Sequence, residues 1–114
     1  MNQETKFDDE KSLVTFTLSG SVEMSHINEL TKNAEVYLDR GLKCILDITK
    51  LEHIPTDVAR KAVDIATEKF TSGFSSYCLV ASGMFMLMIS MLAPESFKRD
   101  HLASTISEAE EKLG

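Results

Sequence analysis

The sequence predicts an α/β domain built on a mainly parallel mixed sheet of four or five strands, with helices packed against it. Three observations carry that expectation. Short apolar or alternating runs recur along the chain, each bounded by turn residues. Stretches with helical spacing separate them, as crossovers between parallel strands require. Finally, 114 residues with 43% hydrophobic content suffice for one domain, residues 1–114, that buries its core without metals or crosslinks.

Each element has its own signature. "ETKF" near the N-terminus suits a short edge strand. "LVTFTLSG" (13–20) alternates Val14, Phe16 and Leu18 with Thr15 and Thr17, a strand with one buried face. "SHINELTKNAEVYLDRG" places Ile27, Leu30, Ala34 and Leu38 on one side of a helix over 25–39, with Ser25 as N-cap and Gly41 beyond its end. "LKCILDI" (42–48) is apolar with little alternation, as a central strand covered on both sides should be, and a charged turn follows. Pro55 forces Ile54 into an extended conformation and cannot sit deep in a helix. Thr56 is therefore the expected N-cap of a helix over 56–70, with Asp57 in its first turn and Val58, Ala62, Ile65 and Ala66 inward. This helix and the one over 25–39 are expected on the same face of the sheet. "SYCLVAS" is a second central strand. Ser82-Gly83 separates it from "MFMLMISML", a short helix from Met84 to Leu92 that Pro94 stops. "FKRDHLAST", charged in its middle, suits a weak edge strand, and "ISEAEEKLG" a polar terminal helix whose apolar contacts are Ile106, Ala109 and Leu113.

Composition removes several functions. A net charge of −6 argues against a nucleic-acid partner, because phosphate contacts need clustered Lys and Arg; an acidic protein more readily meets a basic protein patch. Cys44 and Cys78 sit in apolar runs and read as small buried hydrophobes of a reducing compartment. "MNQETKFDDEK" has no apolar core and is not a signal peptide, so a cytoplasmic location is expected. The apolar run from Tyr77 to Ala93 falls short of the roughly 20 residues that span a bilayer, so no transmembrane segment is expected.

Catalysis would have to use His53, Thr56 and Asp57, the only local cluster of nucleophile, base and acid. No nucleophile elbow accompanies it, no histidines are paired at metal-ligand spacing, and the five glycines form no phosphate loop. No enzyme, catalytic residue, cofactor or metal site is expected. The methionine-rich helix is a different matter. It is apolar on every side, and one helix on a small sheet cannot hide all of them. Part of Met84, Phe85, Met86, Met88, Met91 and Leu92 should face outward as a second interface, for a partner or a homodimer.

The order of these pieces resembles the STAS domain family of bacterial anti-sigma factor antagonists over nearly the whole chain. A strand ending in glycine runs into a helix ("FTLSGSVEMSHINEL"). A glycine precedes a strand that ends in aspartate and a hydroxyl residue ("GLKCILDITKLEHI"). A strand and final helix close the chain ("FKRDHLASTISEAEEKL"). The family's signature runs acidic residue, phosphorylatable Ser or Thr, small polar residue, glycine; these places fall on Pro55, Thr56, Asp57 and Val58. The hydroxyl is kept, while the acidic residue and the glycine are replaced. The resemblance implies a non-enzymatic regulatory module that binds an anti-sigma factor that is also a serine kinase, is phosphorylated at Thr56, and offers His53, Ile54, Pro55, Thr56, Asp57, Val58, Arg60 and Lys61 to its partner. STAS relatives also serve in stressosome-like assemblies and as small subunits of lipid-transport ATPase complexes at the inner membrane. There the contact is protein to protein without phosphorylation, the alternative role this resemblance allows.

Overall fold

A computed structural model describes residues 1–114. Five strands lie in the order β1 (Asn2–Asp8), β2 (Leu13–Ser21), β3 (Lys43–His53), β4 (Ser76–Val80) and β5 (Leu102–Ala103). β1 runs antiparallel to β2, and every other pair is parallel. The sheet is thus mixed and mainly parallel, as expected, and the short edge strand at "ETKF" extends over seven residues.

β3 explains the layering. Its alternate side chains Cys44, Leu46 and Ile48 enter the main core, with Ile45 on the opposite face. Four helices cover the main core: α1 (Met24–Ala34), α2 (Thr56–Ile65, continued by a π turn at Ala66–Phe70 and a last turn at Thr71–Gly73), α3 (Gly83–Leu92) and α4 (Glu95–His101). α1 and α2 share that face, as their apolar stripes require. The opposite face carries only α5 (Ile106–Leu113), whose Ala109 and Leu113 seal Ile45, Cys78, Val80 and Ala103. Ile106 stays partly exposed. Asp47 also faces that side, and its carboxylate accepts the Thr49 N–H at 2.9 Å and the Thr49 hydroxyl at 2.7 Å. Cys44 and Cys78 lie on different faces and are free thiols. Burial raises the pKa of both, that of Cys78 to about 11, so they remain protonated and inert.

The structure corrects four local expectations. α1 is capped two residues earlier, by Glu23 and not Ser25: the Glu23 backbone carbonyl accepts the His26 N–H at 3.0 Å, and the Glu23 N–H donates to His26 Nδ1 at 2.9 Å. The helix also ends at Ala34, its pattern continuing only as a 3-10 turn over Glu35–Tyr37. β3 runs through the expected charged turn to His53, because pairing with Lys50, Leu51 and His53 past a bulge extends β2 and β3 together. Gly73, at the close of α2, is tight against Leu38: a Cβ there would lie 2.6 Å from Leu38 Cδ2. The largest correction concerns "FKRDHLAST". Residues 95–101 are helical, and only Leu102–Ala103 joins the sheet. Pro94 provides an extended N-cap, and Glu95 forms a 2.7 Å ion pair with Lys98 one turn on. Phe97 buries its ring and lies 5.5 Å from that of His101, so the charged residues face solvent from a helix.

Candidate functional site

β3 and β4 are parallel neighbours, so the segments leaving their C-terminal ends emerge side by side. Open α/β sheets commonly bind at this edge. From β3 the chain passes through His53, whose carbonyl accepts the Val22 N–H at 2.9 Å, and turns at Ile54-Pro55 into α2. Ile54 and Val58 are core residues, 8% and 4% exposed. They hold the loop and present nothing to a partner. His53, Thr56, Asp57, Arg60 and Lys61 are exposed, and Pro55 is half-buried. The eight sequence-derived positions therefore divide into a supporting pair and a displayed set. Lys61 turns towards α1, lining a depression with Asn28, Lys32 and Glu68, and so leaves the Thr56 surface.

The N-cap of α2 is Pro55, extended at φ −62° and ψ 149°, and no side chain caps the helix. Thr56 is the first helical residue, and the first ladder bond runs from the Ala59 N–H to the Pro55 carbonyl at 2.9 Å. The expected bond from the Val58 or Ala59 amide to the Thr56 hydroxyl is not formed. Proline supplies the extended cap backbone and moves threonine one place inward, where its hydroxyl cannot reach back to the amides ahead of it. That hydroxyl is thus displayed at a helix N-terminus, an environment that favours negative charge.

From β4 the chain passes Ser82 and turns at Gly83, with φ +57°, into α3. Ile89 is its only fully buried residue. Phe85, Met86, Met88 and Leu92 are half-buried against the core, while Met84, Leu87 and Met91 are 80%, 66% and 86% exposed. The outward face expected from the sequence therefore exists. Its centre is Leu87, which the sequence reading passed over although it sits three and four residues from Met84 and Met91, the spacing of one helical stripe. Thr56 lies with Met84, Leu87, Met88, Met91 and Leu92 along a single shallow groove. Of the first set of positions, Thr56 is the one that reaches the second surface, placing a lone hydroxyl residue on its lip.

The histidines stand apart from this groove and from one another in their roles. His26 caps α1, His101 Nδ1 lies 2.8 Å from the Tyr77 carbonyl, and the His53 side chain is exposed. No helix is long and apolar enough to cross a membrane.

No family model and no curated protein matches the sequence. Solved structures do match its shape over almost the full length. An anti-sigma factor antagonist from Mycobacterium paratuberculosis aligns with a TM-score of 0.70 at 15% identity, covering 98% of this chain and 94% of that one. The anti-sigma factor antagonist SpoIIAA in its unphosphorylated form aligns at 0.66 and 11% identity, over 98% and 96%. A DUF3478 protein with a SpoIIAA-like fold from Shewanella loihica PV-4 aligns at 0.60 and 12%, over 99% and 93%. Likeness at such identities is likeness of fold, and it meets the resemblance read from the motifs: the chain has the STAS-type, SpoIIAA-like α/β fold of the anti-sigma factor antagonists.

Proposed function

We propose that this protein is a non-enzymatic regulatory module of the cytoplasm that binds a protein partner through the groove between α2 and α3, and that phosphorylation of Thr56 weakens the binding. One observation carries the reading: the exposed Thr56 hydroxyl borders the same groove as Met84, Leu87 and Met91. An uncharged stripe this exposed is an interface feature. A phosphate on its lip adds about −1.5 to −2 charges where docking needs apolar surface, and the α2 N-terminus tolerates that charge, so the fold survives. The switch then acts chiefly through the cost of desolvating the phosphate. Repulsion between exposed charges would be screened by salt; a desolvation cost is not. The shared fold with anti-sigma factor antagonists supports an anti-sigma factor as the partner, and the motif resemblance implies that this partner is also a serine kinase.

The test is capture of the partner from the source cell, with its identification and measured binding of the purified pair. An anti-sigma factor with kinase activity, bound by wild type and Thr56→Ala and lost with Thr56→Glu at both low and high salt, supports the reading. Binding that is unchanged by Thr56→Glu, with no phosphate on Thr56 in protein from its own cell, removes the switch. An ATPase of a lipid-transport complex, or a stressosome-like assembly of similar modules, would replace the partner while keeping the groove. Recovery of a second copy of this chain would make the groove a dimer interface.

A further inference from the structure

Between the sheet and the helices α1 and α2, with one side chain of α3, lies an apolar chamber of about 40 Å³. α2 lines it with Ala59, Ala62 and Ala66, side chains too small to fill the space, and α3 contributes Ile89. All fifteen lining residues are hydrophobic, and among them only Tyr77 has a polar group in its side chain. Tyr77 is 1% exposed, and its hydroxyl has no hydrogen-bond partner. Burial raises its pKa, so the group stays a neutral donor. Buried side-chain polar atoms are nearly always bonded, and one left over calls for an explanation. A water is a poor one here, because buried waters take two to four polar partners and this lining offers one hydroxyl. The π turn at Ala66–Phe70 opens the α2 ladder at the same place, a feature common at functional sites.

We propose that this chamber is a binding site for a small neutral aliphatic molecule with one acceptor oxygen, an alcohol, ketone or ester, its oxygen on the Tyr77 hydroxyl and its carbons along the Ala59–Ala62–Ala66 stripe. The guest is neutral because no cation lines the chamber to balance a carboxylate. As it stands the space is much smaller than the roughly 150 Å³ that admits benzene in an engineered cavity, so a guest of several heavy atoms must lift a wall. α3 is the wall that yields, since Ile89 is its only fully buried residue. Ile89 faces the chamber while Met88 and Leu92 face the groove outside, so occupancy inside adjusts the surface outside. The site itself does not depend on the groove's having a partner.

The probe is 2-butanone, titrated into the full chain and followed by methyl NMR. Saturable shifts at Leu79, Val63 and Ile89, weakened about tenfold by Tyr77→Phe through loss of one hydrogen bond, are the expected result. Ala66→Val, which fills the stripe, should abolish them; Tyr77→Phe keeps the ring packing and serves should Ala66→Val fail to fold. Shifts that never saturate, that centre on Met84, Leu87 and Met91, or that are equal in wild type and Tyr77→Phe would overturn the proposal.

Discussion

Two helices of this protein begin beside a threonine, and the two threonines do opposite things. At α5, Thr105 is a true N-cap: its hydroxyl accepts the Glu108 N–H at 3.1 Å. Glu108 reaches back to accept the Ser104 N–H at 3.1 Å and its hydroxyl at 2.8 Å. That is a closed set, in which side-chain oxygens are spent on the helix's own amides. At α2, Pro55 holds the cap position and Thr56 lies inside it with its hydroxyl unspent. The ends also face different surroundings, α5 opening on solvent and α2 on the groove of α3. A hydroxyl that holds a helix together is unavailable to a partner or a kinase; one displaced by proline costs some cap energy and stays free. The same residue type is thus structural at one end and displayable at the other, and a single neighbouring residue makes the difference.

The largest expected effect tests the open end. Leu87→Asp or Met91→Asp places a charge in the middle of the groove. Each should weaken partner binding by on the order of 2–5 kcal/mol, the cost of an unpaired charge buried at an interface, while thermal unfolding stays near wild type because both side chains are solvent-exposed. These positions separate binding from folding better than Phe85 or Met88, which also pack on the core. Equal loss of stability and binding would show that the stripe belongs to the fold.

The closed end should matter to stability alone. Thr105→Ala is expected to cost about 1 kcal/mol in urea unfolding, as loss of an N-cap does, with partner binding unchanged. The same box predicts a pH dependence. Hydrogen bonds from the Ser104 amide and hydroxyl hold Glu108 below its ordinary pKa of 4.5. The stabilisation is therefore complete above that value and fades as the pH falls through the lower folded value. Glu108→Gln should flatten this part of the acid-unfolding curve; an unaltered curve would mean the carboxylate is bonded only weakly in solution.

Thr56→Ala is the smallest effect and the sharpest contrast. It should change stability by no more than about 0.5 kcal/mol, as an exposed substitution with no bond to lose, about half the cost of the same change at Thr105. A loss of 1 kcal/mol or more would show that Thr56 caps α2 after all and that the two ends are alike.

Much of the architecture was legible in the residues themselves. Alternation in "LVTFTLSG", the apolar runs "LKCILDI" and "SYCLVAS", and the helical spacing of Ile27, Leu30 and Ala34 each record a local demand, that a given side chain face the core, and these demands determined the mixed, mainly parallel sheet with α1 and α2 on one face. Boundaries were legible only where one residue decides them, as Gly83 and Pro94 do for α3. Elsewhere the decision lay in tertiary contacts. Residues 95–101 look strand-like because their charges interrupt the apolar pattern, but burial of Phe97 and the ring contact with His101 make them a helix. Ile54 and Val58, which the motif placed among partner-binding residues, are buried by the packing of α2 on the sheet. The union of Thr56 with the methionine stripe depends on β3 and β4 being parallel neighbours. Residues 56 and 84–92 are distant along the chain, and only that pairing lays the two strand exits side by side.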